Sequence, residues 1–231
     1  MTAAGKPRPR RRGQRNYSYL TTKQIKGNLM REATRAAFEE ALLNTDPASA
    51  LRVGLENGNL DRLLPEIRTE MDFVQRTRYH HLTNLEHSLA TTTAMPAVLD
   101  ERLAGLFHDI GKRRTTTIKE RNGEEQYLGH APVGARMARA IFTRLGYEAT
   151  LVDRVCGWIA HHMDLHSASN NGHSAKAQAK LLAKIGPDLE VLIRLQLADI
   201  GAMHPAIASE KRDEALRYHD MLRATWAASK R

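Results

Sequence analysis

The stretch "LFHDIGK", residues 106–112, sets a histidine and an aspartate side by side in an otherwise apolar run, with a lysine three residues beyond the aspartate. Leu103, Leu106, Phe107 and Ile110 recur at helical spacing, and Gly111 falls where such a helix should stop. A charged carboxylate on a buried stripe is costly unless it is paired or bound to a metal. His108 and Asp109 therefore need partners from elsewhere in the chain.

Those partners can be read off the sequence. Leu192, Leu195 and Asp199 follow an i, i+3, i+7 spacing that puts a second carboxylate on a buried stripe. His87 lies in "NLEHSLA", His130 in "LGHAPVGA", and the pair His161-His162 in "WIAHHM". Imidazole and carboxylate are ligands that divalent transition metals accept, and bundled helices can aim them at one centre. Taken singly, His130 reads as a hydrogen-bonded core residue and Asp199 as the partner of an arginine. The joint pattern, together with eleven histidines in 231 residues, favours a metal centre. His80, His81, His166, His173, His204 and His219 have no stronger claim than surface or boundary positions, with His80 and His81 bordering the site.

The remainder reads as all-α, helices separated by short breaks. Thr21 or Thr22 caps a helix running to about Leu43, and "NTDPASAL" supplies a stop, a proline and a new start. A shorter helix reaches about Glu56, and another runs from near Leu60 to the loop around "QRTRYHH". A helix is expected from Thr83 to Thr93, then a loop or small hairpin turning at Asn122-Gly123. Val133, Met137, Ile141 and Leu145 form a stripe ending at Gly146, and Thr150 with Asp153 suggests a capping box for the next helix. The last core helix holds Leu189 to Asp199, and a final one runs from about Ser209 to Trp226.

Composition bounds the function. Hydrophobic residues make up 42% of the chain, and no apolar stretch approaches the roughly 18–20 residues a membrane span requires. The basic start has no apolar region after it and does not read as a secretory signal. A single cysteine, Cys156, forms no internal disulfide and suits a reducing cytoplasm. The net charge of +9 is uneven: Lys6, Arg8, Arg10, Arg11, Arg12 and Arg15 stand among the first 15 residues without an acid, leaving +3 for the rest. Residues 1–17 read as a flexible basic arm. Two readings fit it: a segment that contacts an RNA backbone, or a solubilising tail.

The ordered pattern of H, HD, H, H and D resembles the HD-domain metal-dependent phosphohydrolase family. Within that family the similarity is greatest to the HD domain of bacterial tRNA nucleotidyltransferases, the CCA-adding enzymes, through "ALRVGLENGNLDRLLPEI" and "GHAPVGARMARAIFTRLGY". The resemblance covers about residues 48–205. The nucleotidyltransferase head has no counterpart in the sequence, so tRNA-building activity is expected to be absent. It implies an all-α HD-domain helical bundle over 76–205, after an N-terminal helical extension or connector at 18–75 and before a C-terminal helix at 206–231. It further implies that His87, His108, Asp109 and Asp199 bind a primary metal, while His130 with His161 or His162 serves members with a second. Val155, Trp158 and Ile159 allow either rotation of that helix, with His161 favoured. Lys112 matches the lysine of the extended motif, which points towards the substrate phosphate, and is expected at the mouth of the site. Arg113 and Arg136 are the other candidate phosphate contacts.

The expected cofactor is one or two divalent ions among manganese, iron, cobalt, nickel, magnesium and zinc. The expected reaction is attack by a metal-activated hydroxide on a phosphoester of a nucleotide or RNA end, first of all as a 2',3'-cyclic phosphodiesterase or phosphatase. The alternatives are a nucleoside triphosphohydrolase, a signalling-nucleotide hydrolase, and a non-catalytic RNA-binding HD module. Nothing in the sequence indicates an oligomeric state. If the arm gathers polyanions, deleting residues 1–15 will weaken RNA binding and flatten its salt dependence while sparing hydrolysis of a small cyclic nucleotide. Equal loss on both substrates in a filter-binding and turnover comparison would reject that role.

Overall fold

Ten α-helices and one small hairpin make up most of the regular structure among the described residues. The computed structural model describes residues 22–171 and 174–230, with side-chain surroundings for 33–166 and 174–230. The basic arm, Thr21 and His173 lie outside the described residues.

The first helix, α1 (Thr22–Leu43), stops before Asp46, whose carboxylate accepts the Ser49 N–H at 3.1 Å and caps α2 (Pro47–Glu56). Pro47 takes the first helical position, where no N–H is required. The long helix expected from Leu60 does not form: α3 (Asn59–Leu63) is five residues, and a separate π-helical turn spans Ile67–Met71. Pro65 explains the break, because it disfavours helical backbone at Leu64 and offers no N–H.

Thr83 caps α4 (Asn84–Ala94) through the Glu86 N–H. The next helix, α5 (Leu99–Phe107), ends four residues before Gly111, and residues 108–112 continue as tight turns closed by Ile110 N–H to Phe107 O and Lys112 N–H to Asp109 O. A two-stranded antiparallel hairpin follows, β1 (Thr117–Ile118) with β2 (Glu125–Gln126), turning through Gly123 at φ 69°. Helix α6 (His130–Leu145) is bracketed by Gly129 and Gly146, both with positive φ. Helix α7 (Ala149–Asn171) starts one residue before the expected cap Thr150, and Asp153 pairs instead with Arg139 at 2.6 Å.

The sequence reading did not anticipate α8 (Ala175–Ile185), whose alanine- and lysine-rich sequence buries only Gln178, Leu182 and Ile185. In α9 (Leu189–Gly201), Leu192, Leu195 and Asp199 are all buried, as their spacing requires. Pro205 opens α10 (Pro205–Ala228) rather than merely following α9. On α10, His219 is fully buried, bonded through Nε2 to Gln196 Oε1 at 2.7 Å, so it is a core residue rather than a surface one.

Helix α5 is the centre of the bundle. It packs against α4, α7 and α9, with the Phe107 ring set edge-on to Phe142 of α6 at 5.2 Å. The extension is fastened by buried Arg102, which donates to the carbonyls of Leu42 and Asn44 at the end of α1 and of Met95 after α4. No described helix is long and apolar enough to cross a membrane.

Gly111 allows the turn after α5 to press on the start of α6. A Cβ there would collide with the His130 carbonyl and lie 2.6 Å from the Gly134 nitrogen, both of them backbone. Gly111→Ala should therefore lower thermal stability by more than about 3 kcal/mol, since the obstruction is not a flexible side chain. An unchanged melting temperature would show that the turn can shift.

Candidate metal centre

Five elements deliver six side chains to one place. His87 comes from α4, His108 and Asp109 from the turn after α5, His130 from the first position of α6, His162 from α7 and Asp199 from α9. All six are buried. Asp109 Oδ2 lies 3.4 Å from His87 Nε2 and 3.1 Å from His108 Nε2, while its Oδ1 lies 3.2 Å from His130 Nε2 and 3.8 Å from His162 Nε2. Asp199 Oδ1 closes the first half, 2.9 Å from His87 Nε2 and 3.8 Å from His108 Nε2. Asp109 thus presents one oxygen to each half.

The backbone fixes which nitrogen faces inward. Nδ1 of His87, His108, His130 and His162 lies 3.2, 2.8, 2.7 and 2.7 Å from the carbonyl oxygens of Ala202, Gly105, Tyr127 and Ile159. A carbonyl only accepts, so each Nδ1 carries a proton, and when such a ring is neutral its Nε2 is a lone-pair atom aimed at the centre. His130 Nε2 and His162 Nε2 are 3.1 Å apart, so two such lone pairs face one another. Two nitrogens about 2.1 Å from one ion at a 90–109° ligand angle are separated by about 3.0–3.4 Å, which suits a shared divalent cation. His87, His108 and Asp109 form a second group whose donor atoms lie within 4.8 Å of one another, as do those of Asp109, His130 and His162. The donor set fits two ions sharing one carboxylate.

The electrostatics favour ionised carboxylates and positive charge beside them. Burial works against ionising Asp109, but His108, Lys112 and His130 more than offset it and hold the carboxyl well below its ordinary range. Asp199 behaves likewise, with His166 and His87 outweighing burial. Burial, reinforced by His130 and His108, keeps His162 neutral. His87 is opposed by burial yet pushed up to about 9 by the Asp109 and Asp199 carboxylates, which seek a positive charge at this point.

A cavity of about 490 Å³ opens onto this cluster, with Asp109, Lys112, His130 and Asp199 in its wall. Several expectations need correction there. His162, not the favoured His161, faces the cluster: His161 turns outward and pairs with Asp164 at 3.0 Å. Lys112 is not at the mouth but buried, its Nζ 2.6 Å from Asp109 Oδ2. Arg136 is exposed beside a separate shallow pocket with Arg139 and Cys156, because six residues of helix carry it about 240° round from His130. Arg113 is also exposed, its guanidinium 5.8 Å from the Phe73 ring, and lies outside the cavity wall. The cations that line the cavity besides Lys112 are Lys119, beyond β1, and Lys211 on α10.

Two cavity residues had no strong claim in the sequence. His166 sits 2.9 Å from Asp199 Oδ2, and its spacing of four from His162 on α7 was the available signal. His80, placed only at the border, packs its ring 4.7 Å from that of His87, and burial and Lys112 push its pKa down to about 3.

The HD domain family model matches residues 79–203, a span that contains every residue of the cluster. The chain belongs to the HD domain family. It is 36% identical to the CC-adding tRNA nucleotidyltransferase of Thermus thermophilus over 139 residues, 58% of this chain and 32% of that protein. It is 31% identical to the A-adding tRNA nucleotidyltransferase of Deinococcus radiodurans over 188 residues, 78% of this chain and 41% of that protein. A bifunctional uridylyltransferase/uridylyl-removing enzyme of Rhodospirillum rubrum is 27% identical over 209 residues, 79% of this chain and 21% of that protein. This HD domain chain therefore spans less than half the length of each.

If His162 completes the second half of the centre, His162→Ala will remove one equivalent of bound Mn²⁺ from the purified protein. His161→Ala, at a ring that pairs with Asp164 rather than the cluster, will leave the stoichiometry as it was. The opposite ranking by elemental analysis would restore His161.

Proposed function

We propose that this HD domain is a metal-dependent phosphohydrolase of nucleotide or RNA-end phosphoesters, with 2',3'-cyclic phosphodiesterase and phosphatase activity foremost. The observation that carries the reading is Asp109, whose two oxygens face two separate histidine groups on the wall of an open cavity. His87, His108, Asp109 and Asp199 would hold one divalent ion, and His130, His162 and Asp109 a second. Such ions supply Lewis acidity towards phosphate oxygens and a nucleophile from water near neutral pH.

The protein's own part is arrangement. The carbonyls behind the four imidazoles fix their tautomers and rotations before any ligand arrives, so little reorganisation remains at the moment of reaction. His166 and His87 hold Asp199 ionised from two sides. Lys119 and Lys211, each half-buried at the cavity wall, stand away from the cluster and are paired with Glu124 and Glu214. Tyr79, Tyr127, Leu128, Met163 and Met203 give the same cavity apolar and aromatic walls suited to a ribose or base. The tRNA named in the relatives' descriptions supports a substrate of this class.

The test is a hydrolysis screen over 2',3'-cyclic nucleotides, nucleoside mono- and triphosphates and RNA ends, with each candidate metal. Cyclic phosphates should be hydrolysed best. Asp109→Asn should lower that rate by more than about a hundredfold, beyond the loss typical of a group that only supports a ligand. Preferred turnover of triphosphates would replace the cyclic substrate, and metal binding without any hydrolysis would make the chain an RNA-binding module.

A further inference from the structure

Gln75 belongs to the segment leading into α4, beside the antiparallel bridge between Val74 and Thr83, and precedes the residues matched by the family model. It is only 4% exposed. Its Oε1 accepts a hydrogen bond from Lys112 Nζ at 2.8 Å. The same Nζ lies 2.6 Å from Asp109 Oδ2, 3.4 Å from His80 Nε2 and 5.4 Å from the centre of the Tyr127 ring.

Lys112 thus donates to Gln75 and stands in ion-pair contact with Asp109, deep in the wall of the cavity. Its charge is directed at Asp109 Oδ2, the oxygen that faces His87 and His108. A divalent ion on that oxygen would meet the ammonium at close range, and two positive charges on one carboxylate oxygen repel.

We infer that Lys112 is an internal cation for Asp109 and that Gln75 is its positioning residue, together occupying Asp109 Oδ2 until a divalent ion displaces them. The arrangement gives the buried carboxylate a partner when no metal is bound, since an uncompensated buried charge is strongly destabilising. It also weakens the first metal-binding step, because that contact must be given up. The inference rests on the metal reading proposed above.

A double-mutant cycle on metal affinity tests it, using the metal-free full chain titrated with Mn²⁺ by calorimetry. Lys112→Met should tighten the first binding step about tenfold and lower the melting temperature of the metal-free protein, with the difference closing once Mn²⁺ is added. Gln75→Leu should tighten binding severalfold when Lys112 is present and have no effect in the Lys112→Met background. Should Gln75→Leu not fold, Gln75→Met removes the same oxygen at similar length and enters the same cycle. Unchanged or weaker binding by Lys112→Met overturns the inference, as does an equal effect of the Gln75 variant in both backgrounds, the result for a merely structural residue. A parent chain that binds no Mn²⁺ overturns the metal reading as well, whereas equal affinities in all four proteins overturn this inference alone.

Discussion

The structure is organised around a carboxylate, Asp109, that is buried and held ionised. Burying such a charge is costly, and this chain compensates it from every direction: imidazoles from four positions and one ammonium surround its two oxygens. Each of those partners must be brought in by a different part of the backbone. The bundle of α4, α5, α6, α7 and α9 does so, with the turn after α5 at its centre.

Orientation is settled one layer further out. The four imidazoles would be free to present either nitrogen if nothing stood behind them. Instead the carbonyls of Gly105, Tyr127 and Ile159 each lie three residues before the histidine they accept from, and only Ala202 is distant in sequence. Three of the four rings are thus oriented by their own local turn, a device that needs no long-range packing. His87 differs, since its carbonyl is that of Ala202, the first residue after α9 in the short connection to Pro205. Its orientation therefore depends on α4 and α9 being docked.

How far the sequence could be read follows from the same distinction. The helical bundle was legible from apolar spacing, which also marked Asp199, and the adjacent H and D stood out; His87 and His130 entered the cluster through the resemblance to the HD family rather than through spacing. The choice between His161 and His162 was not legible, since Val155, Trp158 and Ile159 are all buried and the helix is apolar over a wide arc. The burial of Lys112 was missed because the sequence suggested a helix ending at Gly111, whereas α5 ends at Phe107 and the turns that follow direct Lys112 inward. The role of Gly111 also changed: it is required by the backbone of α6 rather than by a helix stop. Helix α8 went unread although its buried residues Gln178, Leu182 and Ile185 recur at helical spacing.

The tertiary contacts of Lys112 also tie the N-terminal extension to the chemistry. The extension meets the bundle at several polar points, among them Arg35 on the end of α6, Arg52 on Glu86, Arg144 on Leu63 and Glu66, Arg102 on the end of α1, Arg114 on Glu70, and Lys112 on Gln75. Two of these join the segment before α4 to the turn that carries His108 and Asp109. A buried charge is sensitive to the exact placement of its partners, since interactions at low effective dielectric change steeply with distance. Residues 67–75 are therefore more than a linker into the bundle. By holding the far side of the turn after α5, they help fix where Asp109 stands, and on the reading proposed above they would bear on how tightly a divalent ion is held there.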